Sequence, residues 1–437
     1  MPSEYEKEHT AGRKRRGAWH RFLKILGPGL ITGAADDDPS GIATYSQTGA
    51  QFGYGQLWTV PFLYPLMTAV QEACARIGAV TKKGIAAVAK ERYGKAVLFV
   101  MIALIVVANT VNIGADIGAM AEALQLVVPV PFVLATILFA AIMLLFEVFI
   151  PYKRYVWMLK WLALVMIVYP VTVLLVREPW MELLHATFLP HIELSFAFLF
   201  IFIGVVGTTI SPYMFFWQAS EEVEEEIEHH MAERPGVSRR FMRNLRLDNA
   251  LGMFVSQFAA WCIIVATGTV LHANGVNDIR TAADAAKALV PLVHTFPDAG
   301  FIAGVIFAVG IIGLGLLSVP VLAGSAAYAV AEAFDWHEGL YRKLRDAHGF
   351  YGVITVATLV GLGINFVGID PVKALIVAAV VNAVVSIPLI LLIIAISSSR
   401  SIMGDYASGW LSKTLLWITF LMLVAAGIAT LWSVVPH

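Results

Sequence analysis

The chain has 437 residues, of which 59% are hydrophobic and 14% charged, with a mean hydropathy of +0.76. A soluble domain carries roughly a quarter charged residues, so this bias excludes a soluble fold and implies a polytopic membrane protein. The formal net charge of −1 favours no class of partner, and Cys74 and Cys262 sit in apolar runs without metal-type spacing, which assigns them to packing.

The first twenty residues of a tail at 1–24 are polar and basic (Arg13, Lys14, Arg15, Arg16). No apolar stretch with a small-residue cleavage site follows, so they read as a cytoplasmic tail and not as a secretory signal. Apolar runs of membrane length then recur near 25–52, 57–79, 97–125, 131–150, 156–176, 195–218, 246–271, 300–333, 351–369, 372–397 and 413–434, which predicts eleven helices. Basic residues gather in the N-terminal tail and in the 2–3, 4–5, 6–7 and 8–9 loops, among them Lys82, Lys83, Lys153, Arg154, Arg239, Arg240, Arg342 and Lys343. The alternate loops are poor in them, which places the N-terminus inside and the C-terminus outside.

Two spans are interrupted in the same way. The first breaks at Asp38-Pro39-Ser40-Gly41, within "GAADDDPSGIAT". The sixth contains "GVVGTTISPY", where Gly204, Gly207 and Pro212 weaken the helix and Thr208, Thr209 and Ser211 supply hydroxyls. Each break falls in the first helix of a five-helix set, and an odd count sends the second set into the membrane from the opposite side. That pattern predicts an inverted-repeat transporter whose discontinuous helices meet at the midplane: residues 25–176 as the first repeat, 195–397 as the second, and 413–434 as an eleventh helix. Non-helical backbone at that depth is tolerated only around a cavity, and its carbonyls are ready cation ligands.

Three consecutive aspartates are the main chemical signal. An ionised carboxylate at mid-bilayer costs at least ~2.5 kcal/mol, so Asp36, Asp37 and Asp38 require cations, water or protons. We read one of them as a direct cation ligand and the other two as shaping an electronegative vestibule. The bland reading, solvated acids nearer the interface, fits poorly with apolar sequence from Phe22 to Leu30 and from Gly53 to Val70. For Thr208, Thr209 and Ser211 two readings stand: ligands, or hydroxyls bonded back to the i−4 carbonyl. Asp116 in the third span either lines an aqueous pathway or pairs with a neighbouring helix. Glu72 and Arg76, four apart, form an ion pair. The acidic run 221–230 reads as a solvated face, with a cation-collecting patch as the other reading; His229 and His230 do not share a helix face. Asn382 lies mid-span, facing the cavity or bonding another helix. No nucleophile elbow, phosphate loop or HExxH motif is present, so the sequence indicates neither an enzyme nor a resident cofactor. Nothing in it points to nucleic acid or to an obligatory protein partner; a cation and the lipid bilayer are the partners expected.

"GPGLITGAADDDPSGIAT" resembles the first helix of the Nramp family of divalent-metal transporters, whose motif there is Asp-Pro-Gly-Asn. "VQEACARIGAVTKKGIA" is similar to the second helix and following loop, "GVVGTTISPYMFFWQAS" occupies the place of the sixth-helix motif, and "LDNALGMFVSQ" resembles the start of the seventh. The resemblance covers nearly all of the chain. It implies an all-α, leucine-transporter-like fold of two inverted five-helix repeats with broken helices 1 and 6, plus an eleventh helix. Typical members bind Mn²⁺ or Fe²⁺ through the aspartate, the asparagine, a methionine sulfur and backbone carbonyls. Here Asp38 keeps the aspartate, Gly41 stands for the asparagine, Ser211 for the methionine and Thr208 for an alanine. Tyr213 and Gln218 replace two histidines, Ala119 replaces a glutamate near Asp116, and the ninth span carries no charge.

A thioether selects softer metals, whereas oxygen donors suit Mg²⁺, Ca²⁺ or Mn²⁺, and Mg²⁺ keeps several waters when bound. The departures therefore look like the Nramp-related magnesium transporter branch. The expected metal site comprises Asp38, Gly41, Thr208, Ser211, Ala35 and Thr209, holding Mg²⁺ or Mn²⁺ as transported substrate. Loss of the histidines, the glutamate and the arginines removes a plausible proton relay, which predicts uptake without obligatory proton coupling. The alternative is a proton-coupled Mn²⁺/Fe²⁺ symporter using Asp36, Asp37 and Asp116. A Na⁺-coupled amino-acid symporter on the same fold is disfavoured, because three aspartates would repel a substrate carboxylate.

Overall fold

The computed structural model describes residues 32–33, 35–150, 167–175, 179–228, 237–294 and 296–434. The described residues are helical, turn or irregular, with no β-strand. In chain order the principal helices are α1 (Pro39–Phe52), α2 (Thr59–Thr81), α3 (Ile85–Tyr93), α4 (Lys95–Gln125), α5 (Phe132–Phe149), α6 (Val168–Leu175) and α7 (Trp180–Phe188). They continue with α8 (Phe196–Thr209), α9 (Pro212–Glu228), α10 (Arg239–Val270), α11 (Ala299–Phe334), α12 (His348–Ile364), α13 (Pro371–Ser398) and α14 (Trp410–Val434). Several starts carry the capping chemistry that the sequence announces. Ser195 accepts from Phe198 N–H, Ser238 from Phe241 N–H, and Asp370, before Pro371, from Val372 and Lys373 N–H.

Among the described residues, seven helical segments are long and apolar enough to cross a bilayer, and the other four expected spans differ for identifiable reasons. The first is broken, and the part before residue 32 lies outside the described residues. In the second, α2, Gln71, Glu72 and Arg76 dilute the apolar run. The fifth is described only over 167–175, so its expected 156–166 portion, with the basic tail, Lys153, Arg154, His229 and His230, lies outside the described residues. The ninth, α12, is 17 residues long and stops at Ile364, with Asn365 reaching the Gly114 carbonyl of α4 at 2.9 Å. Helices α3 and α7 were not anticipated, each being a single short amphipathic stretch between spans.

Both predicted breaks are present. Residues 35–36 are helical, Asp37 and Asp38 are not, and α1 begins at Pro39. Helix α8 ends at Thr209, Ile210 leaves helical geometry at φ −118° and ψ 62°, and α9 begins at Pro212. Helix α1 lies between α8, α10 and α13, and α4 packs along α11, α12 and α13. The approach of α13 to the second break depends on a missing side chain. A Cβ at Gly207 would stand 2.0 Å from the Ala379 carbonyl oxygen and 2.7 Å from the Ala383 nitrogen. Small residues let membrane helices meet backbone to backbone in this way. From the same face Ser386 Oγ donates to the Ile210 carbonyl at 2.7 Å, satisfying a group that the break frees.

The Glu72–Arg76 pair forms at 3.1 Å, with Arg76 buried. It is part of a larger clasp. Arg76 Nη1 donates to the Tyr406 carbonyl at 2.5 Å and Nη2 to Ser408 Oγ at 3.0 Å, while Arg246 Nε reaches Glu72 at 2.9 Å. One guanidinium thus ties α2 to the segment leading into α14. Removing one partner of a buried pair costs about 3–5 kcal/mol. Because Arg246 still neutralises Glu72, Arg76→Met should lose ~3 kcal/mol, the low end of that range, and lower the melting temperature of the purified protein. An unchanged melting temperature would contradict the clasp.

Candidate metal site

The first break is built by its own sequence. Asp38 is the N-cap of α1, with extended backbone (φ −63°, ψ 172°), and Pro39 follows in the first helical turn, the arrangement that starts a helix most cheaply. Asp38 Oδ1 accepts from Gly41 N–H at 2.8 Å and from Ser40 Oγ at 2.6 Å. The carboxylate is therefore held at the positive end of α1, with Oδ2 left facing Tyr213, whose hydroxyl is 3.4 Å away. Asp36, Asp37 and Asp38 are all buried.

The second break is brought against the first by side chains. Ser40 Oγ lies 3.5 Å from Thr208 Oγ1, Tyr45 OH lies 2.9 Å from Thr209 Oγ1, and Tyr213 OH donates to the Ala35 carbonyl at 2.9 Å. A Cβ at Gly41 would stand 3.2 Å from Thr208 Oγ1 and 3.5 Å from the Asp36 carbonyl oxygen, so the missing side chain leaves room beside the carboxylate. Of the six residues expected to form the site, Asp38, Gly41, Ala35 and Thr208 converge there. Thr209 is one residue on, engaged by Tyr45. Ser211 donates back to the Gly207 and Thr208 carbonyls at 2.9 and 2.7 Å, so its proton is committed to the end of α8 while its oxygen lone pairs stay available. Ser40 and Tyr213 were not expected to contribute. The Asp-Pro-Ser spacing puts the Ser40 hydroxyl two residues after Asp38, within reach to donate to its carboxylate, whereas nothing in the sequence shows that the Tyr213 phenol spans the two breaks.

No group of three His, Cys, Asp or Glu side chains gathered about one point occurs among the described residues; what converges is one carboxylate, hydroxyls and backbone carbonyls. These are hard oxygen donors, the set that hydrated Mg²⁺ and Mn²⁺ accept. Further polar groups ring the breaks. Asp116 accepts from Ser318 of α11 at 3.0 Å, Asn109 donates to the Leu322 carbonyl at 2.8 Å, and Ser325 Oγ donates to the Tyr213 carbonyl at 2.8 Å. Asn112 and Asn382 are buried with neither amide atom hydrogen-bonded. Glu147, near the end of α5, is likewise buried with neither carboxylate oxygen hydrogen-bonded.

A model of the family described as natural resistance-associated macrophage protein-like matches residues 29–433. The chain belongs to the Nramp family. An Nramp relative from Ralstonia nicotianae, named a divalent metal cation transporter MntH, is 26% identical over 95% of this chain and 92% of its own. One of the same name from Xanthomonas campestris pv. campestris is 25% identical over 95% and 91%. Among solved structures, a manganese transporter of Eremococcus coleocola superposes with a TM-score of 0.74 at 18% identity, covering 94% of this chain and 86% of that one. MhsT, solved with L-phenylalanine, superposes at 0.61 and 13% identity over 93% and 98%. At these identities the likeness is one of fold, the leucine-transporter-like fold that the sequence resemblance implies.

Within the expected solvated face at 221–230, the structure corrects the part over 221–224. Glu221, Glu222 and Glu224 are buried, because α9 packs between α2 and α11. Gln218 Nε2 donates to Glu222 at 3.1 Å, and Glu224 accepts from Leu340 N–H at 2.7 Å and from the Tyr328 hydroxyl. Glu332 accepts from Ala87 N–H at 2.8 Å and Ser220 Oγ at 3.3 Å. Glu224 and Glu332, with Ser220 and Tyr328, line a cavity of about 110 Å³ that Glu338, in the loop after α11, also borders. Burial pushes the Glu338 carboxyl up to about 9, with Glu332 and Glu224 adding to the shift and Arg342 opposing it. Between the ordinary value of 4.5 and about 9 the folded chain keeps a proton that the unfolded chain has released, so stability falls as pH rises through that window. Glu338→Gln should therefore raise the melting temperature at pH 8 and leave it unchanged at pH 4; a shift of equal size at both would contradict the assignment.

Proposed function

We propose that the chain imports Mg²⁺, and also Mn²⁺, across the cytoplasmic membrane by alternating access without obligatory proton coupling. The observation that carries the reading is the setting of Asp38. Its carboxylate is fixed at the start of α1 and faces the hydroxyl-bearing break between α8 and α9 across Ser40, Thr208 and Tyr213. In this reading the Asp38 carboxylate binds the ion or its inner waters. Thr208, Ser211 and Thr209 and the carbonyls around Ala35 and Gly41 orient the remaining waters. The relatives' names support divalent metal transport in general; the oxygen-only donor set supports a hard ion. Metal is thus substrate and not cofactor.

The same reading divides the chain into a cytoplasmic tail at 1–24, inverted repeats at 25–176 and 195–397, and a last helix at 413–434. It places the N-terminus inside and the C-terminus outside, in keeping with the basic loops. The inside-negative potential supplies about 4.6 kcal/mol per 100 mV to a divalent ion, twice the single-charge value, so uptake needs no second ion.

Proteoliposomes loaded with a magnesium dye and, separately, a pH dye test this. Wild type should take up Mg²⁺ without internal acidification, Asp38→Ala should lose uptake, and Ser211→Met should shift preference toward Cd²⁺. Acidification that tracks metal uptake would favour the proton-coupled Mn²⁺/Fe²⁺ reading, and full uptake by Asp38→Ala would overturn the site.

A further inference from the structure

Asp36 and Asp37 take no part in the site just described. The chain turns between them and Asp38, and their side chains lie toward a different helix. Gly33 makes this possible: a Cβ there would stand 2.3 Å from the Gly252 carbonyl oxygen, so the segment before the break lies directly on the backbone of α10. One turn further along α10, Ser256 Oγ donates to Asp36 Oδ2 at 2.9 Å. The same hydroxyl faces Asp37 as well but completes no hydrogen bond with it. Both oxygens of Asp37 and Oδ1 of Asp36 are buried without a hydrogen-bond partner. Asp37 is thus a fully buried, unpartnered carboxylate beside a second carboxylate and a hydroxyl on another helix.

With all three aspartates ionised, one divalent ion at Asp38 leaves a net charge of −1, which a proton or a share of a further cation answers. Among the described residues, the charged groups acting on Asp36 and Asp37 are each other and Asp38, with no Lys or Arg. The surplus charge of a divalent ion at Asp38 offsets one of the two adjacent carboxylates, and the remaining one lies where an uncompensated charge costs several kcal/mol. Their free oxygens and the Ser256 oxygen are hard donors of the kind that hold a divalent ion while it keeps most of its water.

We propose that Asp36, Asp37 and Ser256 form a second divalent-cation station, separate from the Asp38 site and set between the first break and α10. It rests on the transport reading above and extends it: the ion is handed between two stations on opposite sides of the first break. Two nearby stations also repel one another's ions when both are filled, so the second ion binds more weakly than the first and speeds release of its neighbour.

The test counts bound Mn²⁺ on the purified full chain, by equilibrium dialysis with metal analysis and by electron paramagnetic resonance of the free ion. Wild type should saturate with two ions in a tighter and a weaker class, and excess Mg²⁺ should displace both. Asp36→Asn with Asp37→Asn should lose one class and keep the other. Asp38→Asn should keep the class that the double variant loses. Ser256→Ala, a milder change should the double variant fail to fold, should weaken one class about tenfold, the size of one lost polar contact. A single ion in wild type, or a second class unmoved by the double and Ser256 variants, would overturn the proposal. Mn²⁺ binding unchanged in Asp38→Asn, with the second class still sensitive to Asp36 and Asp37, would instead overturn the site proposed for transport.

Discussion

The structure depends on one constraint: a carboxylate buried in a membrane protein must have its charge answered, and backbone freed from a helix must have its hydrogen bonds answered. At the first break a single residue meets both demands. Asp38 supplies the cap that the start of α1 needs, and α1 supplies the N–H and the dipole that the carboxylate needs. Only one of its two oxygens is used up this way. The other faces the second break, so the same contact that stabilises the fold leaves an anionic oxygen pointing where a cation would sit.

The second break is answered partly by its own Ser211, which donates to the Gly207 and Thr208 carbonyls, and partly from outside. Ile210 gives its carbonyl to Ser386 of α13, Thr209 meets Tyr45 of α1, and Tyr213 gives its hydroxyl to Ala35 across the gap. These are long-range polar contacts between helices that must move relative to one another if access alternates. Each is a single hydrogen bond, worth about 0.5–1.5 kcal/mol net, so the breaks are joined firmly enough to define a site and weakly enough to part.

Much of this was legible in the sequence. Hydropathy anticipated the seven segments of membrane length among the described residues, and Asp38-Pro39-Ser40-Gly41 with Gly204, Gly207 and Pro212 marked the breaks; that Asp38 caps α1 was not read from the sequence. What could not be read was anything that depends on which faces meet. Tyr213 looked like a lost histidine, yet its phenol bridges the two breaks, and Ser256 had no signal beyond its place in an apolar helix. The acidic run at 221–230 misled because charge runs are solvated by default, whereas packing of α9 between α2 and α11 buries three of its glutamates and binds Glu224 to Leu340 N–H. The fifth span shows the converse limit, since its expected 156–166 portion falls outside the described residues. For the three aspartates, sequence gave the puzzle and geometry separates the answers: Asp38 turns to the second break, while Asp36 turns to α10.

The central claim is that Asp38 and the two breaks together hold a hard divalent ion. Crystals of the protein equilibrated with Mn²⁺ and measured by anomalous diffraction at the manganese edge test it most directly. The account predicts the strongest anomalous peak beside Oδ2 of Asp38, between residues 35–41 and 208–211, and its disappearance in Asp38→Asn. A strongest peak in the glutamate-lined cavity around Glu224 and Glu332, with nothing at Asp38, would contradict it.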